Sequence, residues 1–333
     1  MIKQEKKTNG FADSFKRRVA NGGTSLSLVI TLVIICAFWT IVTKNHVFFT
    51  VKNFTNILVN TSITAIMAAG ATIAMLLGGM DISQYAVATL ASVTSAMLLQ
   101  SGVHWAVAML ASLAVAAVAG TLNGFLVAHM KISAVVTTMG TMQIFRGIAY
   151  IITGAHTIMI SDKAFLMPGR YYIFKVIPVS VLIMAAIYLI VFYVLKYTSF
   201  GRKIFSVGGN KQASYLSGIN PVRVTMASMI CSALCAGVAG ILLCSQTGAA
   251  IPTTGVGSEM TVLAGVILGG ISLQGGRGKI SGTLLGVLVI GTISNGLTLC
   301  NVDAFVQMIV NGMVLIAAVL IDLLRNGTYR KAS

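Results

Sequence analysis

Only seven Asp and Glu occur among 333 residues, beside 23 Lys and Arg and four His, so each ionisable group inside an apolar stretch can be weighed singly. Asp81 follows Gly78-Gly79 and opens Asp81-x-x-Gln84. On a structural reading, the glycines end one helix and Asp81 caps the next in a capping-box arrangement. On a functional reading, the helix is broken beside a solute path, where bare backbone is tolerated only when shielded from lipid. The two are compatible. Arg146 is the one basic residue well inside an apolar run, with Gln143 and Tyr150 at i−3 and i+4 on the same helical face. Such a group faces a polar cavity or a partner, or it snorkels to the outer end, about 12 Å away at 1.5 Å per residue. Glu259 opens a helix near the outer surface and is a possible partner. It also suits a helix N-terminus, where the dipole favours an acid. Asp81, Gln84, Gln143, Arg146 and Glu259 are therefore the candidate pathway residues.

No catalytic constellation accompanies them, so the chain is expected not to be an enzyme. Gly276-Arg277-Gly278-Lys279-Ile280 lacks the Ser/Thr and the earlier Gly of a phosphate loop. Cys36, Cys231, Cys235, Cys244 and Cys300 fall in or beside apolar runs and read as inert buried thiols. His46, His104 and His156 lie near predicted outer ends and His129 near an inner end, none at ligand spacing from another His or a Cys, so no metal site is expected.

The elements that must hold these residues are helices in a bilayer. Charged residues make up 9% of the chain and apolar types 56%, where a soluble domain carries about 25% charge; mean hydropathy is +0.91. A soluble enzyme, a disordered chain and a nucleic-acid binder are excluded. Apolar runs cover Leu26–Val42, Phe54–Leu77, Gln84–Leu99, His104–Ala128, Ala134–Thr153, Val176–Leu195, Val222–Ser245, Glu259–Ile271, Ile280–Leu299 and Ala304–Leu324. The fold class is all-α: a polytopic membrane helix bundle of about ten transmembrane helices. The charged head before Leu26 could open a signal peptide, but the run is long, bulky near its end and lacks a small-x-small cleavage site, so it reads as a first span. The run at Glu259 is short, so it is tilted, shielded by protein or only partly spanning. Seventeen Lys and Arg fall on the side of the termini and five (Lys44, Lys52, Lys163, Arg170 and Lys175) on the other. This places both termini in the cytoplasm. Residues 1–23 form a basic cytoplasmic tail, 24–325 one transmembrane domain and 326–333 a cytoplasmic tail.

Leu77-Gly78-Gly79 resembles Leu268-Gly269-Gly270, and Gly120-Thr121-Leu122-Asn123-Gly124 resembles Gly291-Thr292-Ile293-Ser294-Asn295-Gly296, as in two related halves. The spacings within the pairs, 42 and 22 residues, do not match, and chance likeness of Gly-rich apolar segments is the alternative. Small residues recur at i, i+4: Gly265 and Gly269, Gly282 and Gly286, Ala233 and Gly237. They imply close helix packing.

The longest inner connection, 198–221, is a solvated basic loop or a docking element. Asn210 can cap a short helix to about Ser217 with Gly218 as its stop, and Asn220 caps the next span with Pro221 in its first turn. A short helix carrying Ala213, Ser214, Tyr215 and Ser217 can dock in a partner's groove.

Here the chain resembles the permease subunits of ribose/galactose/xylose-type ABC importers. The likeness is carried by Gly201, Arg202, Gly208, Gly209, Asn210, Ala213, Ser217, Gly218 and Ile219. Gly78-Gly79-x-Asp81-Ile82-Ser83, Arg146-Gly147, Gly257-x-Glu259, the stretch from Leu268 to Gly278, Gly282-Thr283-x-x-Gly286 and Asn295-Gly296-Leu297 extend it. Gln84-Tyr85 and Met260-Thr261 depart from the usual pattern. The resemblance implies a sugar-import permease of the bacterial cytoplasmic (inner) membrane. It also implies a second permease subunit, identical or related, cytoplasmic ATPase subunits docked on 198–221, an extracytoplasmic sugar-binding protein, and surrounding lipid. ATP and Mg would reside on the ATPases, with no cofactor on this chain. Tyr215 joins the coupling-loop candidates. The alternative is an ATP-independent secondary transporter or channel, with Asp81 and Arg146 as ion-coupling groups.

Overall fold

The computed structural model describes residues 23–325 except Lys175. The basic tail 1–23, apart from Gly23, and the tail 326–333 lie outside the described residues. Among the described residues thirteen α-helices run in order: α1 Gly23–Val42, α2 Val51–Leu76, α3 Gln84–Gln100, α4 Trp105–Ala128, α5 Ala134–Thr153, α6 Lys163–Arg170, α7 Val179–Tyr197, α8 Ser199–Gly209, α9 Lys211–Leu216, α10 Pro221–Thr247, α11 Glu259–Leu268, α12 Ile280–Leu299 and α13 Ala304–Arg325. Each expected apolar run falls on one of them. Six (α2, α4, α5, α7, α10 and α12) are long and apolar enough to cross a membrane; Leu26–Val42, Glu259–Leu268 and Ala304–Leu320 are shorter apolar helices.

α10 is the central post, packed most extensively against α4, α2 and α3, while α12 is held by α11, α2 and α1. α3 is enclosed: Ala86 to Val93 are all buried. Two short antiparallel pairings stitch the loops at one end of the helices. Ile158 and Met159 (β1) pair with Ala250 and Ala249 (β4), and Tyr172 and Ile173 (β2) with Pro178 and Ile177 (β3). α6 is fastened to the end of α10, where Arg170 Nε and Nη2 donate to the carbonyls of Gln246 (3.1 Å) and Thr247 (2.8 Å), a cation on orphan carbonyls at the negative end of the dipole.

The Gly-Gly turns end helices as their sequence implies. Gly78, in the left-handed region, donates to Met75 O while Gly79 N reaches back to Ala74 O, and Gly270 and Ile271 repeat the pattern on Ile267 and Val266. These are Schellman closures. Gly120 of α4 packs on α10, and Gly291 of α12 packs on Thr61 of α2.

Two expectations need correcting. Residues 199–209 form helix α8, capped by Thr198 Oγ1 accepting from Gly201 N at 3.2 Å, not open loop; its three glycines hide the helical signal, glycine being about 1 kcal/mol worse than Ala in a helix. Of the cysteines expected to be buried only Cys244 is; Cys36, Cys231 and Cys235 are half-buried, and Cys300 is exposed, since α12 ends at Leu299.

The crossing of α11 and α12 consists of glycine against glycine. A Cβ at Gly282 would strike the Gly269 carbonyl oxygen, one at Gly286 the Gly265 carbonyl oxygen, and one at Gly269 would lie 2.6 Å from Thr283 Cα. Gly282→Val is therefore expected to destabilise the fold by about 3 kcal/mol or more through overpacking. Gly140→Ala, with open space around it, should leave stability unchanged or slightly raised. Thermal unfolding of the detergent-purified variants checks both.

Candidate functional site

Asp81 sits 2% exposed in the connection between α2 and α3, at the centre of a polar knot. Its Oδ1 accepts from Ser83 N (3.0 Å) and Ser83 Oγ (2.6 Å); its Oδ2 accepts from Gln84 Nε2 (3.1 Å) and from Ser232 Oγ of α10 (2.7 Å). Gln84 Nε2 also donates to Ser232 Oγ, and Asn123 Nδ2 of α4 donates to Ser83 Oγ at 2.9 Å. Thr138 of α5 closes the other side, accepting from Ile82 N. The capping box is thus modified: α3 begins at Gln84 after Ser83, and Gln84 turns its amide to the Asp81 carboxylate rather than to backbone. The carboxylate ties α3 to α10, and Ser83 extends the knot to Asn123 of α4.

Arg146 of α5 does not snorkel. Its Nη1 lies 2.8 Å from Glu259 Oε1, with side chains 9% and 12% exposed. Glu259 is thereby held against α5, seven residues before that helix ends at Thr153. Residues 251–258 turn back into the bundle: Thr89 Oγ1 of α3 donates to Thr254 O at 3.2 Å, and left-handed Gly255 leaves room for the Tyr85 ring. α11 spans only ten residues, about 15 Å, and Glu259 occupies its N-terminus, where the dipole adds to the pull of Arg146. Gln143, one turn before Arg146, is exposed.

A cavity of about 210 Å³ opens beside these features between α2, α11 and α12. Its polar wall is Asn60, Thr61 and Thr64 on α2, Thr261 on α11, and Ser294 and Thr298 on α12. Thr64 Oγ1 meets Tyr85 Oη at 3.5 Å, linking the cavity to the first turn of α3. The amides of Asn53 and Asn295 exchange two 3.0 Å hydrogen bonds that lock α2 to α12. Among the described residues no charged side chain lines this cavity. Sequence reading missed it, although a signal was present: Asn60-Thr61-x-x-Thr64 and Ser294-Asn295-x-x-Thr298 put polar groups at i, i+1 and i+4 of two apolar helices.

At the opposite end from the β pairings lies segment 198–221. Asn210 Oδ1 caps α9 through Ala213 N (2.9 Å), Gly218 (φ 80°) closes it, and Asn220 Oδ1 accepts from Val222 N and Arg223 N to start α10. Arg202 Nη2 donates to Ser199 Oγ, and Ser217 Oγ to Ala213 O. Tyr215 and Leu216 are 65% and 78% exposed. Gly201 packs on the carbonyls of Val194 and Leu195; Gly208 packs on Leu76 O, which also accepts from Gly276 N at 2.7 Å. A Cβ on Gly276 would meet Gly209 Cα at 2.8 Å, and one on Gly275 would meet Gly78 N at 2.6 Å. The end of α8, the end of α2 and the 270s turn are one backbone-to-backbone contact, a few residues from Asp81. Among the described residues no three His, Cys, Asp or Glu gather as a ligand set.

A multi-pass helical bundle with polar groups converging at broken helices and a small uncharged cavity has the form of a membrane transport permease. Residues 53–319 match the family described as the branched-chain amino acid transport system / permease component, and the chain belongs to that family. It is 36% identical to the ribose import permease protein RbsC of Escherichia coli K12 over 88% of this chain and 92% of that protein. It is 37% identical to RbsC of Bacillus subtilis over 90% and 92%. The L-arabinose transport system permease protein AraH of Escherichia coli K12 is 35% identical over 78% of this chain and 79% of its own. No solved structure matches.

Removing one partner of the buried pair, as in Arg146→Met or Glu259→Met, should cost about 3–5 kcal/mol by stranding the other charge, whereas the double Met variant should recover most of that loss. A double-mutant cycle on thermal unfolding measures the coupling.

Proposed function

We propose that this chain is the membrane-spanning subunit of an ATP-driven importer that moves a ribose-like monosaccharide delivered by an extracytoplasmic binding protein. The observation that carries this reading is the alignment of ribose permeases along nearly the whole chain, with arabinose and allose permeases beside them. The cavity supports sugar over amino acid, although the family description names the latter. An amino acid would bring an ammonium and a carboxylate, which need opposite charges when desolvated, and the cavity lining offers none. Its hydroxyls and amides suit a neutral polyol.

In this reading the termini and segment 198–221 face the cytoplasm of a bacterial inner membrane, in line with the bias of 17 basic residues to 5. The chain carries no catalysis and no cofactor of its own. ATP and Mg stay on ATPase subunits, and a second permease, identical or related, completes the translocation unit. Tyr215 and Leu216 at the tip of α9 engage the ATPase. Closure of the ATPase pair pushes α8 against the end of α2, and the displacement reaches the Gly78-Gly79 turn and the Asp81 knot. The bundle then shifts between outward- and inward-open populations. Asp81, Gln84, Arg146 and Glu259 act as the fixed points about which α3 and α11 rotate beside the path. An ion-coupled carrier is less well supported, because the Asp81 carboxylate accepts from four donors and the charge of Arg146 is matched by Glu259.

Proteoliposomes holding the permease with its ATPase and binding protein should accumulate labelled ribose, arabinose or allose only with ATP on the ATPase side; equal uptake without nucleotide would sink the reading. Ala213→Trp and Tyr215→Ala with Leu216→Ala alter exposed residues, so stability should stay within about 0.5 kcal/mol while ATPase co-purification and uptake are lost. Asn60→Leu with Ser294→Leu should raise the KM for sugar about tenfold, the worth of one or two hydrogen bonds, with ATPase docking intact.

A further inference from the structure

A second cavity, of about 390 Å³, lies at the end of the bundle that carries segment 198–221, away from the one between α2 and α12. Its wall joins the Gly78-Gly79 turn, the connection between α4 and α5, the start of α9 and the first turns of α10. Two lysines reach it from separate elements: Lys131, held in the left-handed region at φ 58°, and Lys211, the first residue of α9. The N-terminus of the twenty-residue α5 opens on it at Ser133 and Ala134, and the Ser133 side chain makes no cap bond. The first intrahelical donor is Thr137 N, to Ser133 O, so the amides before it are free to bind an anion. On the wall formed by α10, Ser228 is wholly buried and its hydroxyl has no hydrogen-bond partner, with Thr225 one turn away.

Among the described residues no acid lines this cavity. The nearest in sequence, Asp81, has its oxygens occupied by Ser83, Gln84 and Ser232. Two cations, a helix N-terminus and a buried hydroxyl without a partner are the donor set of a phosphate group, all donors and no competing charge. We propose that this cavity binds a phosphate group at the inner face, supplied by free phosphate or a phosphate monoester, or by an anionic lipid headgroup. A bound phosphate bridges Lys211 on α9 to Lys131 and α5, so it clamps the proposed coupling segment to the bundle and favours one arrangement of the α2–α3 turn. Binding stands apart from the transport reading; only the clamp rests on it.

The test is ligand-dependent thermal unfolding of the purified full chain. One arm titrates inorganic phosphate in neutral detergent at constant ionic strength. The other compares nanodiscs of phosphatidylcholine alone with nanodiscs containing phosphatidylglycerol. Stabilisation that saturates, and that weakens about tenfold or more in Lys131→Ala with Lys211→Ala and in Ser228→Ala while persisting in Lys163→Ala on the far side, supports the site. A response to phosphate in detergent identifies the free ion or monoester as source; a response confined to phosphatidylglycerol identifies the headgroup. Both lysines are exposed and Ser228→Ala removes an unsatisfied buried hydroxyl, so all three variants should fold. Stabilisation in neither arm, or stabilisation unchanged in these variants, overturns the proposal.

Discussion

A peptide group in hydrocarbon has no water to bond, so a chain that leaves the helix inside a bilayer must supply every lost partner from within. This protein leaves the helix at 77–83, 248–258 and 269–279, and each of those breaks is satisfied from within the chain. At the first, Asp81 gathers the Ser83 amide and the side chains of Ser83, Gln84 and Ser232. At the second, Thr247 Oγ1 donates to Ala249 O, β4 pairs with β1, and Thr89 of α3 reaches Thr254 O. At the third, Ser272 N bonds Arg277 O and Gly276 N bonds the end of α2. α10 is central because it offers Ser232 to the first break and carries β4 into the second.

The same need explains where glycine is used. Helices in lipid gain little from apolar contact with one another, so closeness of approach has to supply the attraction. The pairs Gly265–Gly286 and Gly269–Gly282 bring α11 and α12 to backbone contact, and Gly208, Gly275 and Gly276 do the same between α8, the 270s turn and α2. Contact of that kind has no side chains to absorb a shift. A push on α8 is therefore handed to the end of α2 with little loss, which is the property that the proposed coupling requires and that an ordinary solvated loop would lack.

What could be read from the sequence divides by range. The apolar runs, the Gly-Gly helix ends and the caps at Asn210 and Asn220 are local signals, legible from adjacent residues and matched by the structure. Asp81 and Arg146 stood out because ions are rare in such runs. The partner Ser232 did not, because it lies 151 residues from Asp81 and looks like any serine in an apolar helix. Glu259 was paired with Arg146 as one possibility, but its depth depended on 251–258 folding inward, which no local pattern announces. α8 was hidden by its own glycines, which are there for contact and not for flexibility. The cavity wall is legible as one polar spacing repeated on α2 and α12, a weak signal because it carries no charge.

That absence of charge bears on the chemistry. The ions buried in this bundle are already engaged, Asp81 by four donors and Arg146 by Glu259, and they hold helices in place. Arg146 keeps Nε and Nη2 without protein partners, so the pair retains hydrogen-bonding capacity although its charge is matched. The polar groups that line the space between α2, α11 and α12 are hydroxyls and amides, set among Ile57, Val287 and Ile290. A permease whose solute were charged would have to offer unmatched charge along its path and would hold that solute tightly at one point. A lining of weak, interchangeable donors and acceptors exchanges water for hydroxyl groups at small net cost, so a neutral polyol can enter and leave it without becoming trapped. The division of labour between ions that fix the frame and neutral polar groups that face the cavity is what a sugar path asks of a membrane protein.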